Sequence, residues 1–152
     1  MAYVTPLNTK KIKELSSKLT ERFGVTFSKD YLWYVHTKKK DIYLLSKKAK
    51  EISLDSLRVN NLGLYVANLD NHDIIRLSIE GSQLLGPKAT KSVIELDKNQ
   101  LRTWLRGEDM PYEYENGYVI IKSGKDFCGC GRIKDNILLN FVPKGRRIRS
   151  RD

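Results

Sequence analysis

The side chains here with the widest chemical reach are cations, and they gather toward one end. Arg102, Arg106, Lys122, Arg132, Lys134, Lys144, Arg146, Arg147 and Arg149 all fall in the last third of a 152-residue chain. A guanidinium presents a planar fork of N–H donors that matches phosphate geometry and stacks on flat rings. Each cation set against a phosphate also releases condensed counterions. The formal charge of +10 is uneven along the chain. Residues 1–50 hold 12 basic and 4 acidic side chains, 51–91 hold 4 and 5, 92–143 hold 7 and 8, and 144–152 hold 5 and 1. Charge piled at both ends predicts a polyanionic partner, with a solubilising surface as the alternative.

Groups that carry out reactions are scarce. His36 ends one predicted strand and His72 lies in a predicted turn, so neither has a neighbouring Ser or Cys with a third partner. The chain has no Walker-type phosphate loop, no G-x-G-x-x-G opening a helix after a strand, and no H-E-x-x-H. Cys128 and Cys130 form a C-x-C on a predicted strand, where side chains two apart share a face. A zinc site wants about four ligands, and neither histidine is near, so reduced, half-buried strand residues are expected. Glu108, Asp109, Glu113 and Glu115 read as a solvated acidic loop, because a calcium loop needs its oxygen ligands in fixed register. The expectation is no catalytic residue, no metal and no cofactor; a small enzyme using that loop and a metal is the rival from another class.

The elements that must position the cations follow from periodicity. Ile12, Leu15, Leu19 and Phe23 form an apolar stripe, predicting a helix over 8–23 with Gly24 as its stop. Strands are predicted at 31–36 and 41–45, joined by the lysine turn 38–40, then a short helix at 46–52 capped by Ser46. Strands at 62–67 and 74–79 come next, with a polar turn at 68–73 and a helix from Glu80 to Leu85 that Gly86-Pro87 ends. Residues 86–91 read as a linker. Beyond it come a strand at 92–97, a helix at 98–106, Gly107, and strands at 117–122 and 127–132. The fold class is α+β: an N-terminal α/β domain over 1–91, then a small pseudo-barrel β domain over 92–152. No apolar run approaches the ~18 residues of a membrane span, and the N-terminus lacks the apolar core of a signal peptide. A soluble, cytoplasmic protein without a membrane partner is expected, nucleolar if the source is eukaryotic.

The pattern Leu105-Arg-Gly-Glu-Asp109, Gly117-Tyr-Val-Ile-Ile-Lys122 and Phe127-Cys-Gly-Cys-Gly-Arg132 resembles a PUA domain, an RNA-binding fold. Asp41-Ile-Tyr-Leu-Leu-Ser-Lys-Lys-Ala-Lys50, Leu62-Gly-Leu-Tyr-Val66 and Ile75-Arg-Leu-Ser-Ile79 resemble the pre-PUA domain of the Nip-seven family of ribosome assembly factors. The ending Lys144-Gly-Arg-Arg-Ile-Arg149 resembles equally the PUA-like appendage of 5-methylcytosine RNA methyltransferases of the Nop-two and Sun type. These resemblances imply a non-catalytic RNA-binding protein of ribosome biogenesis or pre-rRNA processing. The alternative is an accessory RNA-binding subunit of an RNA-modifying enzyme. The implied partners are RNA, ribosomal RNA first, and a protein among ribosome assembly factors or an RNA methyltransferase. Carried over by position, the RNA-binding residues are Arg102, Arg106, Gly107, Asp109, Arg132, Lys144, Arg146, Arg147 and Arg149, with Gly107 leaving room for the RNA backbone. Tyr112 or Tyr114 would supply a stacking ring.

Overall fold

The computed structural model describes residues 4–46 and 63–148. Helix α1 (Thr9–Phe23) begins where Asn8 Oδ1 accepts from the Lys11 amide at 2.8 Å, and it buries Leu15, Leu19 and Phe23. That stripe lies on an antiparallel sheet of β1 (Val4–Pro6), β2 (Tyr31–His36), β3 (Asp41–Ser46), β4 (Leu64–Leu69) and β5 (Ile75–Leu77), ordered as in the chain. Strand β1 was not anticipated: Pro6 pairs with Tyr34 on the sheet edge, where a missing N–H does no harm. The predicted strand at 74–79 is cut to 75–77 because Ser78 turns away to cap helix α2 (Ile79–Leu85), its Oγ accepting from Gly81 N at 2.9 Å. The strand expected at 62–67 instead runs from Leu64 to Leu69. Ser46 is the last residue of β3, and the helix expected to follow it over 46–52 lies outside the described residues.

The second sheet is built from β6 (Val93–Glu95), β7 (Met110–Pro111), β8 (Gly117–Ser123), β9 (Asp126–Lys134) and β10 (Ile137–Leu139), in the order β6-β8-β9-β10-β7. The architecture is α+β with two sheets, one of them a curled half-barrel. Only β6 and β8 run parallel among these strands, which requires a crossover. Helix α3 (Lys98–Leu105) provides it, opened by a reciprocal cap in which Asp97 and Gln100 each accept from the other's backbone amide. Because Asp97 serves as that cap, the strand expected at 92–97 shortens to three residues. The acidic loop expected over 108–116 contributes β7, which pairs with β10 and so covers one edge of the sheet.

Two apolar cores result. One takes Leu15, Leu19, Phe23, Trp33, Ile42, Val66 and Leu77 from the first sheet and its helix, together with Tyr118, Ile120 and Cys130 from the second. The other surrounds fully buried Trp104 with Ile94, Leu96, Val119, Ile121, Ile133 and Leu138. The thiols depart from expectation here. The β8–β9 register slips between Ile121 and Lys122, whose partners are Gly129 and Phe127, so Cys128 is the extra residue of a bulge beside Gly129 at φ +132°. Cys128 packs on the second core while Cys130 enters the first, so the two do not share a face. Both are free.

The segment 86–92 holds the two halves together through the end of α1. A helix leaves its last four carbonyls without internal partners, and here each has a donor. Thr20 O accepts from Gly24 N at 2.8 Å, Glu21 O from Lys91 Nζ at 2.9 Å, and Arg22 O from Ser92 Oγ at 2.8 Å. Phe23 O accepts from both Thr90 N and Lys91 N, at 2.9 and 3.2 Å. Gly24, at φ +78°, sits where a β-carbon would run into the Thr90 hydroxyl. Gly24→Ala is therefore expected to cost about 2–4 kcal/mol, from left-handed strain plus overpacking. Thr90→Ala in the same chain should recover part of that loss, as urea unfolding of the two single variants and the double variant will show.

Candidate nucleic-acid interface

Helix α3 and the tail build the first group of cations. Arg102 is exposed on the helix, and Arg106 closes it, its Nε donating to Glu108 Oε2 at 3.0 Å. Gly107 follows in the left-handed region at φ +85°, and the space that its β-carbon would occupy holds the Arg147 side chain. The room expected there for RNA is filled from within the chain. Arg147 is fixed by Nε donating to Val142 O at 2.9 Å, and the next amide, Ile148 N, donates to Leu105 O at 2.9 Å. The tail thus lands on the C-terminal end of α3, where its Ile148 amide satisfies the last helical carbonyl and the helix dipole favours positive charge.

Asp109 is occupied locally. Its Oδ1 accepts from Asn140 N at 2.8 Å, while Asn140 Nδ2 donates to Trp104 O and Glu108 O at 2.8 and 3.2 Å. These bonds sew the turn after α3 to the chain leaving β10. Lys144 is exposed in a short 3-10 turn, Lys144–Arg146. Arg146 reaches across to helix α2, pairing with Glu80 Oε2 at 2.8 Å. Arg149 lies outside the described residues. Among the described residues, Arg102, Lys144 and Arg147 have no carboxylate partner, whereas Arg106 and Arg146 do.

Arg132 belongs to a second group. Its guanidinium lies 5.6 Å from the centre of the Tyr118 ring, which meets Phe141 at 6.1 Å, and Arg76 sits 4.8 Å over the other ring of that pair. Such contacts contribute about 0.5–1 kcal/mol each at exposed sites. Burial raises the Tyr65 phenol above its ordinary value, and Arg76 opposes that rise. The Tyr118 hydroxyl donates to Asp70 Oδ2 at 2.8 Å. Burial first, then the bond to Asp70 and its charge, push the Tyr118 phenol up to about 12. Burial pushes Asp70 upward as well, but donors from Ile74 N, Tyr118 and His72 N outweigh it and hold the carboxyl below its ordinary 3.8.

The two groups meet at a cavity of about 140 Å³, whose wall includes Tyr65, Arg76, Glu80, Phe141 and Arg146. Of the expected residues, the structure brings Arg102, Arg106, Gly107, Arg146 and Arg147 together around the α3 terminus and the tail, and sets Arg132 apart with aromatics. The rings beside arginines are Tyr118 and Phe141. Tyr112 instead packs on the second core and donates to Glu95 O at 2.9 Å, and Tyr114 is exposed on the acidic loop. Sequence reasoning missed Arg76 and Phe141. The available signals were an arginine inside the apolar run Ile74-Ile-Arg-Leu77 and an aromatic just before Pro143 and the basic tail.

Comparison with known proteins places this geometry. Residues 91–148 match the family model described as the methyltransferase RsmF PUA domain, so the C-terminal end of the chain is a PUA domain. The ribosomal RNA small subunit methyltransferase F of Vibrio cholerae serotype O1 is 26% identical over 133 residues, which is 86% of this chain. The similarity is the same in strain M66-2 and in strain ATCC 39315 / El Tor Inaba N16961. The chain spans 27% of the length of these relatives. Of the resemblances noted from sequence, the family model supports the PUA one, and the comparisons do not show the Nip-seven one.

The Tyr118–Asp70 bond gives a pH signature. A depressed carboxyl contributes stability above the ordinary value of 3.8 that is lost as pH falls through its lower folded value. A raised phenol contributes stability below pH 10 that is lost as pH rises toward about 12. Tyr118→Phe is expected to reduce the alkaline loss by the Tyr118 share, leaving that of buried Cys130, and to move the Asp70 titration upward. Thermal melts from about pH 2 to about pH 12 and carboxyl NMR titration read both.

Proposed function

We propose, on the premise that residues 91–148 form a PUA domain, that this chain binds RNA and presents it to an RNA methyltransferase activity, with small-subunit ribosomal RNA as the substrate class. The observation that carries the reading is the tail folded onto the α3 terminus. It sets Lys144 and Arg147 beside a helix bearing Arg102, all three without carboxylate partners among the described residues. Cations left uncompensated in this way keep their full electrostatic reach for a phosphodiester backbone. The relatives' names supply ribosomal RNA and methyl transfer, and the rest of their length exceeds what this chain covers.

The part played by these residues is recognition without chemistry. Thiolates, not thiols, act as nucleophiles, and burial pushes Cys130 up to about 12 and raises Cys128 as well. Of the acidic loop, Glu108 is engaged by Arg106 and Asp109 by Asn140. RNA modification of this kind belongs to ribosome biogenesis, and the assembly-factor reading differs from it in the partner alone.

Binding to small-subunit rRNA fragments across a salt series tests the surface. Arg102→Ala with Lys144→Ala should weaken binding and reduce the steepness of log K against log[salt] by about 0.7–0.9 for each phosphate no longer neutralised. Unchanged affinity and slope would remove the surface from consideration. Co-purification then separates the partners: a stoichiometric RNA methyltransferase supports the reading, and pre-ribosomal particles without one favour the assembly-factor alternative.

A further inference from the structure

The seam between helix α2 and the second sheet contains more than one cavity. Beyond the 140 Å³ space lies a second of about 500 Å³, bordered by Gln83, Lys125 and Phe127. Ile79, Val142 and Arg146 line both. What stands at this shared wall is the Arg146–Glu80 ion pair, 2.8 Å long, with side chains 48% and 35% exposed. A pair that open to solvent contributes about 0–1 kcal/mol, so it is a latch that a competing anion can displace.

The two ends of the seam have the same character. At the near end Arg76 lies over Phe141 in the wall of the smaller cavity; at the far end Lys125 and Phe127 border the larger one, with Lys122 Nζ 5.8 Å from the Phe127 ring centre. Phe141 is 36% exposed although it sits in the middle of these contacts. Rings alternating with cations along a groove are what a single nucleic-acid strand requires, since every base offers a flat face and every linkage a charge. A duplex offers neither an unstacked base nor a width that a narrow seam admits.

We propose that the α2–tail seam is a binding groove for an unpaired RNA strand, in which a base stacks on Phe141 and a backbone phosphate replaces Glu80 on Arg146. The groove rests on the RNA-binding reading above and deepens it. It assigns the PUA domain and the N-terminal sheet to one continuous site and selects single-stranded segments over helical ones. Glu80 then acts as a built-in competitor for the phosphate position, keeping the guanidinium aligned while the groove is empty.

Short single-stranded and duplex RNA oligonucleotides, titrated against the whole chain by fluorescence anisotropy, test this directly. Phe141→Ala should weaken single-strand binding roughly tenfold with the salt slope unchanged, because every phosphate keeps its cation. Phe141→Tyr should restore it, which rules out a merely structural effect. Glu80→Gln should tighten single-strand binding roughly fivefold by removing a like charge near the phosphate. Duplex binding should respond to neither change. The groove is refuted if wild type binds single strands and these variants leave that affinity unaltered, or if duplex affinity changes in step. Wild type that binds no RNA of either kind would instead overturn the RNA-binding reading itself.

Discussion

The geometry of the whole molecule depends on how α1 ends. Four carbonyls that a helix terminus leaves exposed are all satisfied by a short stretch of chain, residues 90–92 together with Gly24. Burying a helix end without such partners would leave polar groups desolvated at about 1–3 kcal/mol each. The stretch that satisfies them leads directly into β6, so the second sheet starts from a fixed point on the first. Arg22 reinforces the arrangement from the other side, its Nε donating to Tyr118 O at 2.7 Å. With Tyr118, Ile120 and Cys130 sunk into the core that α1 covers, the two halves share one interior rather than meeting at a polar contact. A groove between them can then keep its shape without a ligand.

Electrostatics is distributed less simply than the net charge of +10 suggests. Arg106 and Arg146 are engaged by carboxylates, Arg132 and Arg76 lie over rings, and Arg147 is half committed to the tail's own backbone. A charge count therefore overstates the free cationic surface. Pairing also orients: each of these guanidiniums is held in one place by a partner weak enough to exchange. Near the first sheet Lys40 is paired with the Asp73 carboxylate, while Lys18 donates to the Asp73 backbone carbonyl, so the N-terminal lysines too are partly engaged within the chain.

Much of the architecture was legible because local rules agreed with the fold. The 3.6-residue stripe of α1, its glycine stop, the aromatic and β-branched run of β2, and the bounds of α3 are all properties of neighbouring residues. The short strands β1, β7 and β10 were not legible, since two or three residues pair as strands only once a longer partner is already placed. The PUA resemblance was correct for the C-terminal residues because glycines and alternating apolar positions mark that module in sequence. The site was read in part. The tail cations are visible as a cluster, but Arg76 meets Phe141 and Glu80 meets Arg146 from opposite ends of long intervening segments, the second pair 66 positions apart. Nothing in either segment points to the other.

The bulge at Cys128 has a consequence for thiol chemistry. It divides two sulfurs, adjacent but for one glycine, between separate cores, Cys130 buried in the first and Cys128 half-buried against the second, and burial raises both thiols. An intramolecular disulfide is thereby denied to the folded chain: joining the two sulfurs would first have to undo the pairing of β8 with β9.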